Sequence, residues 1–353
     1  MLSPLLLAAA MLFPAQVRAD EHVILFPTCA RFDSRRQTWV GEVHGWIFEP
    51  EEDSEWRSEV IESLEEAAKL DLIEWDRDLL KSRALPFLAD NEGGKRVDVR
   101  IPGVVVRCDR SAANGHFFGK FSIPKENVPA DTHEVEAEVE LARSDDRKFT
   151  GQVYLIPSEG VSIISDIDDT IKQSNVLDKV ELLRNTFARP FVAVEGMPQV
   201  YQALAERGAT FHYVSASPWQ LYAPLEQFVR LEKYPPGTWD MKSFRIWDDS
   251  WRNLLANSAK VKTPAIERLL RQFPERRFLL IGDSGEADPE IYGKLARKYP
   301  AQVLGIAIRG VRNGESLEDA RFGTALEGIE DKRALLFTDP QELTRRVDAW
   351  WPR

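Results

Sequence analysis

Cysteine is scarce in this chain: Cys29 and Cys108 stand far apart and in no CxxC pair. The five histidines (His22, His44, His116, His133, His212) are scattered, with no HExxH spacing. These absences argue against a zinc site. The two thiols stay open between one disulfide and two buried free side chains. An excess of positive charge is also missing. The net charge of -11 argues against a general nucleic-acid binder, yet a few local cations can still gather an anionic substrate. Long apolar runs are absent too. The best of them, Leu5-Leu6-Leu7-Ala8-Ala9-Ala10-Met11-Leu12-Phe13, is too short to span a bilayer, has no Lys or Arg before it, and is followed by small residues. It predicts a cleaved secretory signal over residues 1–19 and an exported chain, periplasmic or secreted, with an uncleaved anchor as the alternative.

What is present fits a globular protein of two domains. The chain has 353 residues, 43% apolar and 29% charged. From residue 20 to 157 the pattern is one of short strands: His22 to Phe26, Thr38 to Phe48, Arg96 to Ile101, Val104 to Cys108, His116 to Ile123, His133 to Leu141 and Gly151 to Ile156. Several alternate polar with apolar residues, as a half-buried strand does. A helical stretch, Ser54 to Lys81, interrupts them. The expectation is a β-sandwich-like domain with a helical insertion.

Residues 158–353 read differently. Apolar runs at Val161 to Ile167, Thr210 to Ser215, Phe278 to Gly282 and Val303 to Ile308 alternate with helical patterns at Met197 to Arg207, Trp219 to Glu232, Pro264 to Phe273 and Asp288 to Tyr299. That alternation predicts an α/β domain with a doubly wound parallel sheet. Ala334 to Phe337 and a helix from about Pro340 to Trp350 follow, and Pro157-Ser158-Glu159-Gly160 marks the boundary.

The chemistry is concentrated where the first run ends, in Ser165-Asp166-Ile167-Asp168-Asp169-Thr170. Acids crowded at a buried strand tip repel one another unless a cation or a proton resolves them. Asp166 and Asp168 are spaced by two, so on a strand both would face one ligand. A carboxylate nucleophile can take a phosphoryl group, and a neighbouring acid can protonate the leaving oxygen. A calcium loop fails on spacing, since Ile171 replaces the required Gly and Leu177 the bidentate Glu. Further along, Ser215 closes the second run, while Ser217-Pro218 with Gln220 reads as a helix cap. Lys262 precedes Thr263-Pro264, another helix-start signal, at a place where the helix dipole favours an anion. Asp283 ends the third run and suits a hard cation such as Mg2+. Asp288, before Pro289, suits an N-cap as well as a metal.

In this order, on successive α/β strands, these motifs resemble the haloacid dehalogenase-like phosphohydrolases; Asp166-Ile167-Asp168-Asp169-Thr170 has their DxDxT form. The sequence is similar above all to the actin-patch-type phosphatidate phosphatases, related to the lipins. The likeness rests on Gly160 to Lys172, Ser215-Ala216-Ser217-Pro218-Trp219 and Gly282-Asp283-Ser284-Gly285-Glu286-Ala287-Asp288-Pro289-Glu290-Ile291-Tyr292, and covers about residues 159 to 309. It implies Asp166 as nucleophile and Mg2+ ligand, and Asp168 as general acid/base giving its backbone carbonyl to the metal. It further implies Thr170 as an organiser of that loop, Ser215 and Lys262 on the phosphoryl group, and Asp283 and Asp288 at the metal. Spacing to Ile266-Glu267-Arg268-Leu269-Leu270 favours Lys262 over Lys260. The expected substrate is a phospholipid, phosphatidate, with peripheral membrane contact and no nucleic acid. Trp219, Trp239, Trp247 and Trp251, four of the ten tryptophans, lie in one connection; they serve either core packing or contact with acyl chains. Lys172 to Glu195 would form a small cap.

Overall fold

The computed structural model describes residues 17–50, 61–66, 68, 77–243 and 258–351. The N-terminal half is a nine-stranded sheet, largely antiparallel. Its strands are β1 (His22–Phe26), β2 (Thr28–Asp33), β3 (Thr38–Glu49), β4 (Asp90–Asn91), β5 (Asp98–Ile101), β6 (Val104–Arg107), β7 (His116–Pro124), β8 (Glu134–Val139) and β9 (Thr150–Ile156). The long β3 organises it, pairing with β2 and β1 along one edge and with β7 and β4 along the other. Each of the seven expected strands is present within a residue or two. The pair β2 and β4 carries little alternation and was not expected. Most of the stretch Ser54 to Lys81 lies outside the described residues, but a helix does cover Arg77–Ala84. Residues 1–16 of the expected leader also lie outside them; Val17 is buried in the N-terminal core, and Arg18 pairs with Glu21 at 2.6 Å.

The C-terminal half is a six-stranded parallel sheet of β10 (Val161–Ser165), β11 (Thr210–Pro218), β12 (Gly237–Lys242), β13 (Arg277–Asp283), β14 (Val303–Arg309) and β15 (Ala334–Phe337), in the order β12-β11-β10-β13-β14-β15. The chain builds outward from β10 to β12, then returns to lay β13 against the other side of β10. Every residue of β10 is buried. Its two serines are satisfied internally: Ser162 Oγ accepts from Arg276 Nε at 2.9 Å, and Ser165 Oγ meets the Tyr201 hydroxyl at 2.7 Å. Among the described residues no helix is long and apolar enough to cross a membrane.

The halves share a core in which Phe26 packs on Trp219 with ring centroids 4.2 Å apart. Trp239 lies in the same core, whereas Trp247 and Trp251 fall outside the described residues. Arg276, 2% exposed, is held by oxygens of uncharged groups: the carbonyls of Pro157, Glu159 and Val161 and the hydroxyls of Ser162 and Thr210. Both cysteines are free and buried, which excludes the disulfide in this structure, and burial pushes the Cys29 and Cys108 thiols up to about 12.

Three histidines are buried. His44 and His116 face each other at 2.9 Å, and His212 spans Thr238 Oγ1 and Ser162 Oγ. Burial lowers His116 to about 4 and His212 to about 3. Unfolded histidine titrates near 6.5, so as pH falls below that value the unfolded chain gains protons that the folded chain refuses. Each histidine should therefore remove about 1.4 kcal/mol of stability per pH unit, from about 6.5 down to its folded value. Denaturant titrations of wild type and His116→Gln at pH 7, 6 and 5 test this. The two curves should converge on acidification, and a constant gap between them would contradict the assignment.

Candidate active site

β10 and β13 are neighbours and parallel, so their carboxyl ends deliver Asp166 and Asp283 to the same place. The Asp166 amide donates to the Ile281 carbonyl at 2.9 Å, tying the two loops at their roots. The strand stops at Ser165, however, so Asp166 and Asp168 sit in a loop and are not set by strand alternation. Their carboxylates take separate partners. Asp166 Oδ1 lies 2.9 Å from Lys262 Nζ, and Oδ2 accepts from Thr170 Oγ1 at 3.2 Å. Asp168 Oδ1 meets Lys172 Nζ at 2.8 Å and Ser174 Oγ at 2.7 Å, while Oδ2 accepts from Ser217 Oγ at 2.7 Å. The third acid, Asp169, holds the loop together, because its carboxylate collects the amides of Ser174, Asn175 and Val176.

Asp166, Asp283 and Asp288 are all buried, and each offers an oxygen within 4.8 Å of the others. Lys262 is wholly buried among them, its ammonium 2.6 Å from Asp288 Oδ1 and 2.8 Å from Glu286 Oε2 as well. It lies inside the helix Ser258–Gln272, so the expected helix start at Thr263-Pro264 is corrected; Pro264 is internal, and Lys260 is exposed. The cap at Ser217 is corrected too. β11 runs on to Pro218, the turn from Trp219 has no side-chain cap, and the Ser217 hydroxyl goes to Asp168. Asp288 is not the cap of its helix, since Ala287 occupies that position; its carboxylate turns inward to Lys262 and the Asp283 amide. Ser215 Oγ accepts from the Ser217 amide at 3.0 Å.

Three carboxyl groups thus meet one ammonium, and a fourth, that of Asp283, adjoins them. Burial raises Asp166 well above the usual carboxylate range, with Lys262 opposing and Asp288 and Glu286 adding. Burial likewise raises Asp283, reinforced by Asp288 and Asp166. Lys262 goes up despite its burial, because Asp166, Asp288 and Glu286 outweigh it. Asp168 goes the other way: burial would raise it, but Lys172 and the hydrogen bonds from Lys172, Ser174 and Ser217 hold it low and ionised.

This donor set suits a hard divalent cation. All its atoms are carboxylate oxygens, the type Mg2+ takes. Asp283 Oδ2 is buried without a hydrogen-bond partner among the described residues, and Asp166 Oδ1 receives no well-directed one despite its nearness to Lys262. The Asp168 carboxylate stands outside the trio. Glu286, Lys172 and Ser174 had no expected role, and Ser217 was expected only as a helix cap. Only Lys172 and Glu286 carried a signal, as charges inside otherwise buried motifs.

Residues 161–310 match the family described as phosphatidate phosphatase APP1, catalytic domain. A 161-residue stretch is 36% identical to phosphatidate phosphatase APP1 of Saccharomyces cerevisiae, covering 44% of this chain and 27% of that protein. An uncharacterized protein of Schizosaccharomyces pombe is 30% identical over 203 residues, 56% of this chain and 33% of its own length. The chain therefore spans no more than a third of the length of these relatives. Asp166, Lys262, Asp283 and Asp288 all fall within the matched segment, so the residues of the site lie in the part of the chain that is similar to the APP1-type catalytic domain.

Proposed function

We propose that this protein is a Mg2+-dependent phosphomonoester hydrolase acting on phosphatidate, releasing diacylglycerol and phosphate through an aspartyl-phosphate. The observation that carries this reading is the buried trio of Asp166, Asp283 and Asp288 around Lys262. The strand order, reversing between β10 and β13, supports a haloacid dehalogenase-like doubly wound fold, whose ligands sit at such a switch point. The family match supports the phosphatidate assignment.

Asp166 attacks phosphorus in line, and its Oδ2, held by Thr170, is fixed in orientation. Lys262 neutralises the phosphoryl oxygens. Asp168 is ionised at rest and takes up a proton as the anionic substrate arrives. It gives that proton to the leaving oxygen in the first step and accepts one from the attacking water in the second. Its three donors position the carboxylate for both. Asp166, Asp283 and Asp288, with the Asp168 carbonyl, would hold Mg2+, which supplies charge neutralisation at the transferring group. Export through the leader at residues 1–19, with peripheral contact at a lipid surface, belongs to the same proposal.

The test is phosphate release from micellar phosphatidate and from soluble phosphomonoesters, each with Mg2+ and with chelator. Release from phosphatidate alone, lost on chelation, is expected. Preference for a soluble ester would keep the hydrolase and discard the lipid; no release from either would discard both.

A further inference from the structure

Arg309, the last residue of β14, touches both loops that carry the acids. Its main chain pairs with Asp283 in the β13–β14 register, and its carbonyl accepts the Ser284 amide at 2.9 Å. Its side chain reaches the other loop, where Nη1 donates to the Asp169 carbonyl at 2.6 Å. Asp169 is an unusual residue to hold. It has φ of 53°, in the left-handed region that disfavours a non-glycine residue. Its amide donates to the Lys172 carbonyl at 2.7 Å, and its carboxylate gathers the three amides from Ser174 to Val176. The loop is thus tied from within through Asp169, and its outward carbonyl is held by Arg309.

Arg309 Nε is buried with no hydrogen-bond partner among the described residues, although leaving a buried donor orphaned is costly. Arg309 also lines two clefts, of about 1020 Å³ and 790 Å³, at the carboxyl ends of the strands. A shorter side chain there would leave an opening that a small ion can enter.

We propose that Arg309 is a positioning residue: it sets the separation of the Asp166 loop from the Asp283 loop, so that carboxylates from two strands stay convergent. This rests on the reading of Asp166 as nucleophile. A planar guanidinium fixes a carbonyl more rigidly than a flexible ammonium, so lysine should restore the contact only in part.

The experiment compares the full chain with Arg309→Ala and Arg309→Lys. Hydrogen exchange at the Ser174, Asn175 and Val176 amides should quicken about tenfold or more in the alanine variant, less in the lysine variant, with β13 amides unchanged. Unchanged exchange at those three amides in both variants overturns the proposal, whether or not the protein turns over any substrate. Given phosphate release by wild type, kcat of Arg309→Ala should fall about 100-fold with KM nearly constant. Millimolar guanidinium should restore part of it. A rise in KM at constant kcat overturns the proposal and makes Arg309 a substrate-holding group. Wild type that releases no phosphate refutes the functional reading alone, and exchange then decides Arg309 by itself. Should the alanine variant not fold, the lysine variant carries both readouts.

Discussion

Asp166→Asn should abolish phosphate release, by at least about 10⁴-fold, while leaving the fold intact or slightly firmer. The rate falls because an amide oxygen cannot accept a phosphoryl group and be regenerated by water. The fold holds because Asp166 is a strained charge: it is 1% exposed, and Asp288, Glu286 and Asp168 all add to what burial already does to it. Replacing it with a neutral side chain of the same shape relieves that crowding. Lys262 keeps Asp288 and Glu286 as partners. The check is phosphate release alongside a denaturation curve. Turnover at the wild-type rate would remove Asp166 from the nucleophile role.

Lys262→Met should give the opposite pattern. Among the described residues, its ammonium is the single cation touching Asp166, Glu286 and Asp288. Methionine fills similar space without charge, leaving the acids buried and uncompensated. Removing one partner of a buried pair costs about 3–5 kcal/mol, so the variant should be that much less stable in chelator. Added Mg2+ should recover part of the loss, because a ligand that binds only the folded state stabilises it. Stability equal to wild type in chelator would mean the acids do not depend on Lys262. A loss that Mg2+ leaves untouched would remove the metal from Asp166, Asp283 and Asp288. This readout needs no substrate.

The site was legible in the sequence to the extent that it is written in strand ends. Asp166 and Asp283 each terminate an apolar run, and parallel neighbours bring such ends together. Local capping rules misled where tertiary contacts were stronger. Ser217-Pro218 has the form of a helix start, but pairing of Pro218 with Lys242 prolongs β11 and Asp168 takes the hydroxyl. Thr263-Pro264 has the same form, yet the helix begins no later than Ser258 and carries Lys262 inward. Lys172 and Ser174 reach Asp168 through a loop folded around Asp169 at positive φ. No periodicity announces a geometry of that kind. Arg309 was equally silent, as an ordinary residue at the end of a strand whose partners come from two other strands.

Arg276 bears on how the two halves relate. Its guanidinium, drawn by burial down to about 10, forms no ion pair with a carboxylate among the described residues. It depends instead on the carbonyls of Pro157, Glu159 and Val161, the very peptide that joins the halves. Separating the halves there would strand a cation inside the C-terminal half and bare the Trp219 surface that Phe26 covers. The seam between the halves is therefore an internal part of the molecule, and the β-rich half packs as a wall of the C-terminal half, not as a detachable passenger.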